Sequence, residues 1–126
     1  MKYLYSWAKM PNDSKLVSAL QEACVRLEKK LVGLDLSSLA ISEYNQRYLG
    51  NKVKGLRSSL QLYGYLILLS LANRNIPLKE FVFVDYGGGS GLMSLLAREM
   101  GIGTVIYLDI YDVSCNDVKH LAKALD

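Results

Sequence analysis

The 126-residue chain (14.1 kDa) is 51% hydrophobic, which suits one small domain with a real core and excludes a disordered polymer. Its two cysteines, Cys24 and Cys115, stand far apart and indicate neither a disulfide framework nor a zinc site, so a reducing, cytoplasmic setting is expected; no long apolar run follows Lys2, so a cleaved signal peptide is not expected. The net charge of +3 is unevenly spread: residues 1–43 carry six basic and five acidic side chains, residues 44–79 six and none, and residues 80–126 three and seven.

Residues 1–12 are aromatic-rich and run into Pro11-Asn-Asp13, a turn whose Asp13, or Ser14 after it, is expected to cap a helix. Leu16, Val17, Leu20, Cys24, Leu27 and Leu31 then recur at three- and four-residue steps, predicting about five helical turns with one apolar face, closed by Gly33. Cys24 lies on that face and reads as a small core residue, not a nucleophile. Asp35-Leu-Ser-Ser opens a further helical stretch that carries Tyr44, Arg47 and Tyr48 and is expected to break at Gly50-Asn51. Those three residues, at i, i+3 and i+4, share one helix face. The plain reading packs the tyrosines on the core with their hydroxyls at the surface.

Lys52 to Asn73 reads as a long helix with Val53, Leu56, Leu60, Tyr63, Ile67 and Leu71 along one face. Its stretch 60–72 is apolar nearly all round, yet it is 13 residues long with Gln61 inside, whereas a membrane span needs about 20 residues. A helix buried against a sheet is predicted, with no membrane span. The acid-free segment supplies Arg47, Lys52, Lys54 and Arg57 either as a solvated face or as an attractor for an anionic substrate.

Phe81-Val-Phe-Val-Asp85 predicts a buried strand, Gly87-Gly88-Gly89-Ser-Gly91 a tight loop, and Leu92, Leu95, Leu96 and Met100 the inner face of a helix capped by Ser90 and ended by Gly101 and Gly103. Thr104-Val-Ile-Tyr-Leu-Asp109 predicts a second strand ending in an acid. Ser114-Cys-Asn-Asp117 has the form of a capping box for a last helix that buries Val118, Leu121, Ala122 and Leu125, which leaves Asp112 as a loop or capping acid. His120, the only histidine, falls on that helix's less apolar side and is expected in solvent.

The glycine spacing narrows the chemistry. A dinucleotide fingerprint needs G-x-G-x-x-G, but the third glycine position falls on Leu92 or on Ser94. A phosphate-binding P-loop needs a lysine after its glycines, and none follows here. What stands is D-x-G-x-G-x-G from Asp85 to Gly91, with an acid, Asp109, 18 residues past the last glycine, near the spacing at which Rossmann-type sites place a ribose-binding carboxylate.

This pattern resembles motif I and the following segment of the class I S-adenosylmethionine-dependent methyltransferases, over roughly residues 78–126. The resemblance implies an α/β fold in which a helical N-terminal layer, residues 1–77, precedes the opening β-α-β-α of a Rossmann-like parallel sheet, residues 78–126. It implies S-adenosylmethionine as cofactor, with Asp85 orienting the methionine amino end directly or through water, Gly87, Gly88, Gly89 and Gly91 lining the methionine and ribose, and Asp109 holding the ribose hydroxyls. Tyr44, Arg47 and Tyr48 would form a lid over the site. The acidic surround suits a sulfonium centre.

Members of that family usually have seven strands, so the chain is expected to be the N-terminal part of a longer enzyme, inactive and self-associating alone. The N-terminal pattern also resembles uncharacterised methyltransferases of bacterial surface-polysaccharide synthesis, which implies a small or saccharide-type acceptor; no nucleic-acid partner is expected, and no catalytic base or metal ligand is readable. Two other readings stay open: a non-catalytic methyltransferase-like interaction module, and a fragment of an NAD-dependent oxidoreductase.

Overall fold

The structure is a computed structural model and describes residues 14–71, 74 and 76–126. The turn expected at Pro11-Asn-Asp13 and the helix end expected at Asn73 lie outside the described residues. Among the described residues the chain is α/β and mainly helical, with one two-stranded parallel sheet.

Helix α1 (Ser14–Val32) buries Leu20, Cys24, Leu27 and Leu31 along the stripe read from the sequence, with Ala23 beside them. The Gly33 N–H closes it on the Lys29 carbonyl at 3.1 Å. The next segment differs from expectation. Asp35 caps only one 3-10 turn, Leu36–Ser38, by accepting from the Ser37 N–H. Helix α2 (Glu43–Lys52) has its own cap, Ser42, and runs through Gly50-Asn51 without breaking, held by buried Leu49 and Asn45. A 3-10 turn at Val53–Gly55 then leads into α3 (Leu56–Leu71), so the long helix starts four residues later than the sequence pattern suggests.

Helix α3 buries Leu56, Leu60, Ile67, Leu68 and Leu71, each worth about 1.5–3 kcal/mol relative to exposure. It packs chiefly against α1 and against α4 (Leu92–Glu99), a correction to the expected packing on the sheet. Its buried face lies between two helices, while Leu62 and Leu66 on the other side stay exposed. Among the described residues no helix is long and apolar enough to cross a membrane.

A 3-10 turn, Leu78–Glu80, precedes β1 (Val82–Tyr86), which pairs in parallel with β2 (Thr104–Leu108), from Val82 opposite Thr104 to Tyr86 opposite Leu108. Phe83 and Asp85 of β1 face inward under α4, while Val82, Val84 and Tyr86, with Thr104, Ile106 and Leu108 across from them, stay exposed. Thus an apolar run that reads as a strand buried on both faces is covered on one only among the described residues.

Helix α4 ends at a Schellman turn: left-handed Gly101 (φ 88°) donates to the Arg98 carbonyl and Ile102 to that of Ala97. Gly103 is not part of that stop. Its N–H bonds the Leu78 carbonyl, and a Cβ there would lie 1.7 Å from the Lys79 carbonyl oxygen, so it marks a close crossing of two backbone segments. Helix α5 (Asp112–Ala124) begins two residues before the supposed capping box, with Asp112 in its first turn and no side-chain cap. It buries Val118, Leu121 and Leu125, half-buries Ala122, and also buries Asp117. His120 is half-buried.

Candidate functional site

Strand β1 delivers the chain to the glycine loop, and β2 holds that loop in place. The Gly87 and Gly88 N–H groups both donate to the Leu108 carbonyl, at 2.8 and 3.4 Å. The Gly89 N–H donates to Asp109 Oδ2 at 3.0 Å, and the Gly91 N–H turns back to the Gly88 carbonyl at 2.9 Å. Four amide donors of the loop are therefore already engaged within the protein. The Tyr107 hydroxyl donates to the Gly89 carbonyl at 2.6 Å and lies 3.3 Å from Asp109 Oδ2.

The glycines divide by role. Gly87 and Gly89 are left-handed (φ 71° and 53°), and a Cβ at either would meet nothing within 4 Å, so the loop presents bare backbone to open space. Gly88 and Gly91 face inward. A Cβ at Gly88 would stand 2.5 Å from Tyr107 Cε2 and 2.7 Å from Asp85 Oδ2, and one at Gly91 would stand 2.5 Å from Val118 Cγ2.

Asp85 is 7% exposed, and its Oδ2 accepts from the Ser94 N–H (3.2 Å) and the Ser94 hydroxyl (2.7 Å). That is the work of a helix cap. Ser90, the expected cap, does not do it: the capping position of α4 falls on Gly91, which has no side chain to offer. The buried carboxylate instead satisfies the amide of the third helical residue and places negative charge at the positive end of α4. Asp85 consequently stands behind the loop, and the cleft in front is lined by other groups.

That cleft, of about 650 Å³, has Gly87, Gly89 and Asp109 on one side, Ile110 to Ser114 below, and Ser42, Tyr44 and Asn45 of the N-terminal layer opposite. Its charged lining residues are Asp109 and Asp112. The Asp109 carboxyl is held below the ordinary carboxylate range, first by the Tyr111 N–H on Oδ1, which outweighs the opposing effect of burial, and then by the weaker pulls of the Gly89 N–H and the Tyr107 hydroxyl. Tyr107 moves the other way: burial, and next the Asp109 charge, push its hydroxyl well above its usual range, so it stays a proton donor.

Of the three residues expected as a lid, Tyr44 lines this cleft, while Arg47 and Tyr48 open onto an adjoining groove with Glu43 and Asn51. The Tyr44 and Tyr48 rings stack at 6.4 Å and 14°. The basic segment does not converge on one site: Arg47 pairs with Glu43, Arg57 with Glu28, and Lys52 lies over the Tyr48 ring. Cys24 is buried and Cys115 half-buried, both free, and burial raises the Cys24 pKa as expected for an inert core thiol. No group of three or more metal-ligating side chains occurs among the described residues.

Two contributions escaped the sequence reading. Tyr107 was legible in principle, since it stands two residues before Asp109 on the strand face that turns inward. Asp117 was not. Its carboxylate is 1% exposed and accepts from the Ser42 N–H (2.8 Å), the Ser42 hydroxyl and the Asn45 side-chain amide (2.6 Å), so α5 grips the first turn of α2 and with it Tyr44. Comparison of the chain with family models, curated proteins and solved structures finds no match.

Proposed function

We propose that this chain binds S-adenosylmethionine in the cleft between the glycine loop and α2, within a Rossmann-like β1-α4-β2-α5 unit, and serves methyl transfer to a small or saccharide-type acceptor. The observation that carries this reading is the Asp85 carboxylate at the N-terminus of α4. A diphosphate would need that helix end and the loop amides, but Asp85, Asp109 and the Leu108 carbonyl already engage the Ser94, Gly89, Gly87 and Gly88 amides, and Asp109 and Asp112 would repel it. A ligand with cationic and hydroxyl groups meets no such conflict.

When bound, the cofactor supplies an electrophilic methyl group on a sulfonium. Asp109 keeps acceptor capacity on Oδ1, which receives only the Tyr111 N–H, to accept from a ribose hydroxyl, and its depressed pKa keeps it ionised for that purpose. Gly87 and Gly89 leave room for close approach to the backbone, and Tyr44 forms part of the opposite wall of the cleft. Asp85 acts from behind, fixing α4 and adding to the negative potential.

The exposed face of Val82, Val84, Tyr86, Ile106 and Leu108 favours a second reading, a non-catalytic interaction module on the same scaffold. Calorimetric titration of the protein with S-adenosylhomocysteine and with NAD tests both. The first should bind and NAD should not, and Asp109→Ala should weaken binding at least about tenfold through loss of a charge-assisted acceptor. Tighter binding of NAD overturns the assignment, binding of neither ligand favours the interaction module, and unchanged affinity in Asp109→Ala removes the ribose role.

A further inference from the structure

Helix α2 carries two parallel stripes. Glu43, Arg47 and Asn51 follow one another at four-residue steps, and Tyr44, Tyr48 and Lys52 do the same one residue on. The first stripe is planar and polar, with a carboxylate, a guanidinium fork and an amide; the second is aromatic, closed by an ammonium 5.6 Å from the Tyr48 ring centre. The first stripe and the two tyrosines of the second border a groove of about 500 Å³, and Tyr44 is also a wall of the cleft beside the glycine loop.

We propose that this groove binds a pyranose ring of a saccharide and is the acceptor subsite of the cleft. The proposal rests on the methyl-transfer reading for its orientation, but not for its chemistry. Tyr44 is 75% exposed, an aromatic ring left in water where a helix of this length had core positions available for it. The two tyrosines are 6.4 Å apart, whereas a third ring between them needs two contacts of about 3.5–4 Å, together about 7–8 Å. A ligand therefore lies along the outer ring surface and is not sandwiched.

A pyranose matches this surface at both levels. One face of the sugar is a patch of C–H groups that an aromatic ring covers, and its rim is a circle of hydroxyls that both donate and accept. Glu43 accepts, Arg47 donates and Asn51 does both, all on the stripe next to the rings. A flat nucleobase would use the tyrosines but leave most of that polar stripe without partners. A phosphate would use Arg47 but meet Glu43, which is already hydrogen-bonded to it at 2.5 Å. The platform is also preorganised, because Asp117 holds the first turn of α2 against α5.

The test is saturation-transfer NMR on the protein with N-acetylglucosamine, glucose and glucuronate as separate probes, with adenosine as the aromatic control and an S-adenosylhomocysteine titration on the same samples. At least one sugar should receive saturation on its ring C–H protons. That signal should fall at least fivefold in Tyr44→Ala and in Arg47→Ala, and persist in Tyr44→Trp. Because Arg47 borders the groove and not the cleft, Arg47→Ala should leave S-adenosylhomocysteine affinity within about twofold of wild type. Absence of signal from every sugar, signal that survives Tyr44→Ala, or Tyr44-dependent signal from adenosine alone overturns the proposal. Sugar binding without S-adenosylhomocysteine binding supports the groove and sinks the cofactor reading, so the two fail separately.

Discussion

The buried Asp117 carboxylate accepts both the backbone N–H and the hydroxyl of Ser42, across 75 residues of sequence. Ser42 in turn caps α2 by accepting from the Asn45 N–H, so one carboxylate fixes the cap, the helix it starts and the Tyr44 side of the cleft. Removing it leaves the Ser42 N–H and the Asn45 amide without partners in a buried setting. Asp117→Ala should lower unfolding free energy by about 3 kcal/mol in urea denaturation, with Asp117→Asn in between because its new amide opposes that of Asn45. A loss below about 0.5 kcal/mol in the alanine variant would show that the cluster contributes nothing to folding.

Gly87 of the loop and Gly103 at the backbone crossing should separate cleanly under substitution. Gly87→Ala places its methyl in open space and incurs only the left-handed backbone penalty, about 1–2 kcal/mol. Gly103→Ala drives a methyl into the Lys79 carbonyl and should cost about 3 kcal/mol or more, because the obstacle is backbone and not a movable side chain. Thermal melts of the two variants check the order; equal losses would contradict the close crossing at Gly103.

A third expectation concerns pH. The folded-state pKa of Asp109 is depressed, so its stabilising bonds to the Tyr111 and Gly89 amides are fully present above its unfolded value, about 3.9, and are lost as pH falls through the lower folded value. The Gly89 amide resonance should therefore titrate at a pH below the ordinary aspartate range. In Tyr107→Phe, which removes the hydroxyl from the Gly89 carbonyl and Asp109, the inflection should rise toward the ordinary value. An inflection that stays put in Tyr107→Phe would remove Tyr107 from the network.

What could be read in advance follows from the range of each interaction. The α1 stripe from Leu20 to Leu31, the inner face of α4 and the order strand, loop, helix, strand were legible because each is fixed by residues a few positions apart. Ser90 and the Ser114–Asp117 box were misread because local pattern alone proposed a cap, while the real partners came from elsewhere: Asp85 reached Ser94 from the strand beneath, and Asp117 was claimed by Ser42. Gly50-Asn51 carried a strong breaker signal, yet burial of Leu49 and Asn45 kept the helix going. Likewise, the period of α3 identified its buried face without saying that helices, and not the sheet, cover it.

Glu99, at the end of α4, receives the side chains of Arg26 and Lys30 from α1, and Arg26 also donates to the Glu99 backbone carbonyl at 2.8 Å. The boundary expected between the helical layer, residues 1–77, and the strand-bearing part, residues 78–126, therefore runs through a set of charges that link the two sides. Cut there, the later piece would keep the Glu99 carboxylate without the two α1 cations, and the earlier one would keep Arg26 with only Glu22 as partner and Lys30 without Glu99. The two stretches should accordingly melt in a single transition, with calorimetric and van't Hoff enthalpies in agreement, and neither should tolerate exchange for a foreign counterpart unless the helix opposite it is exchanged as well.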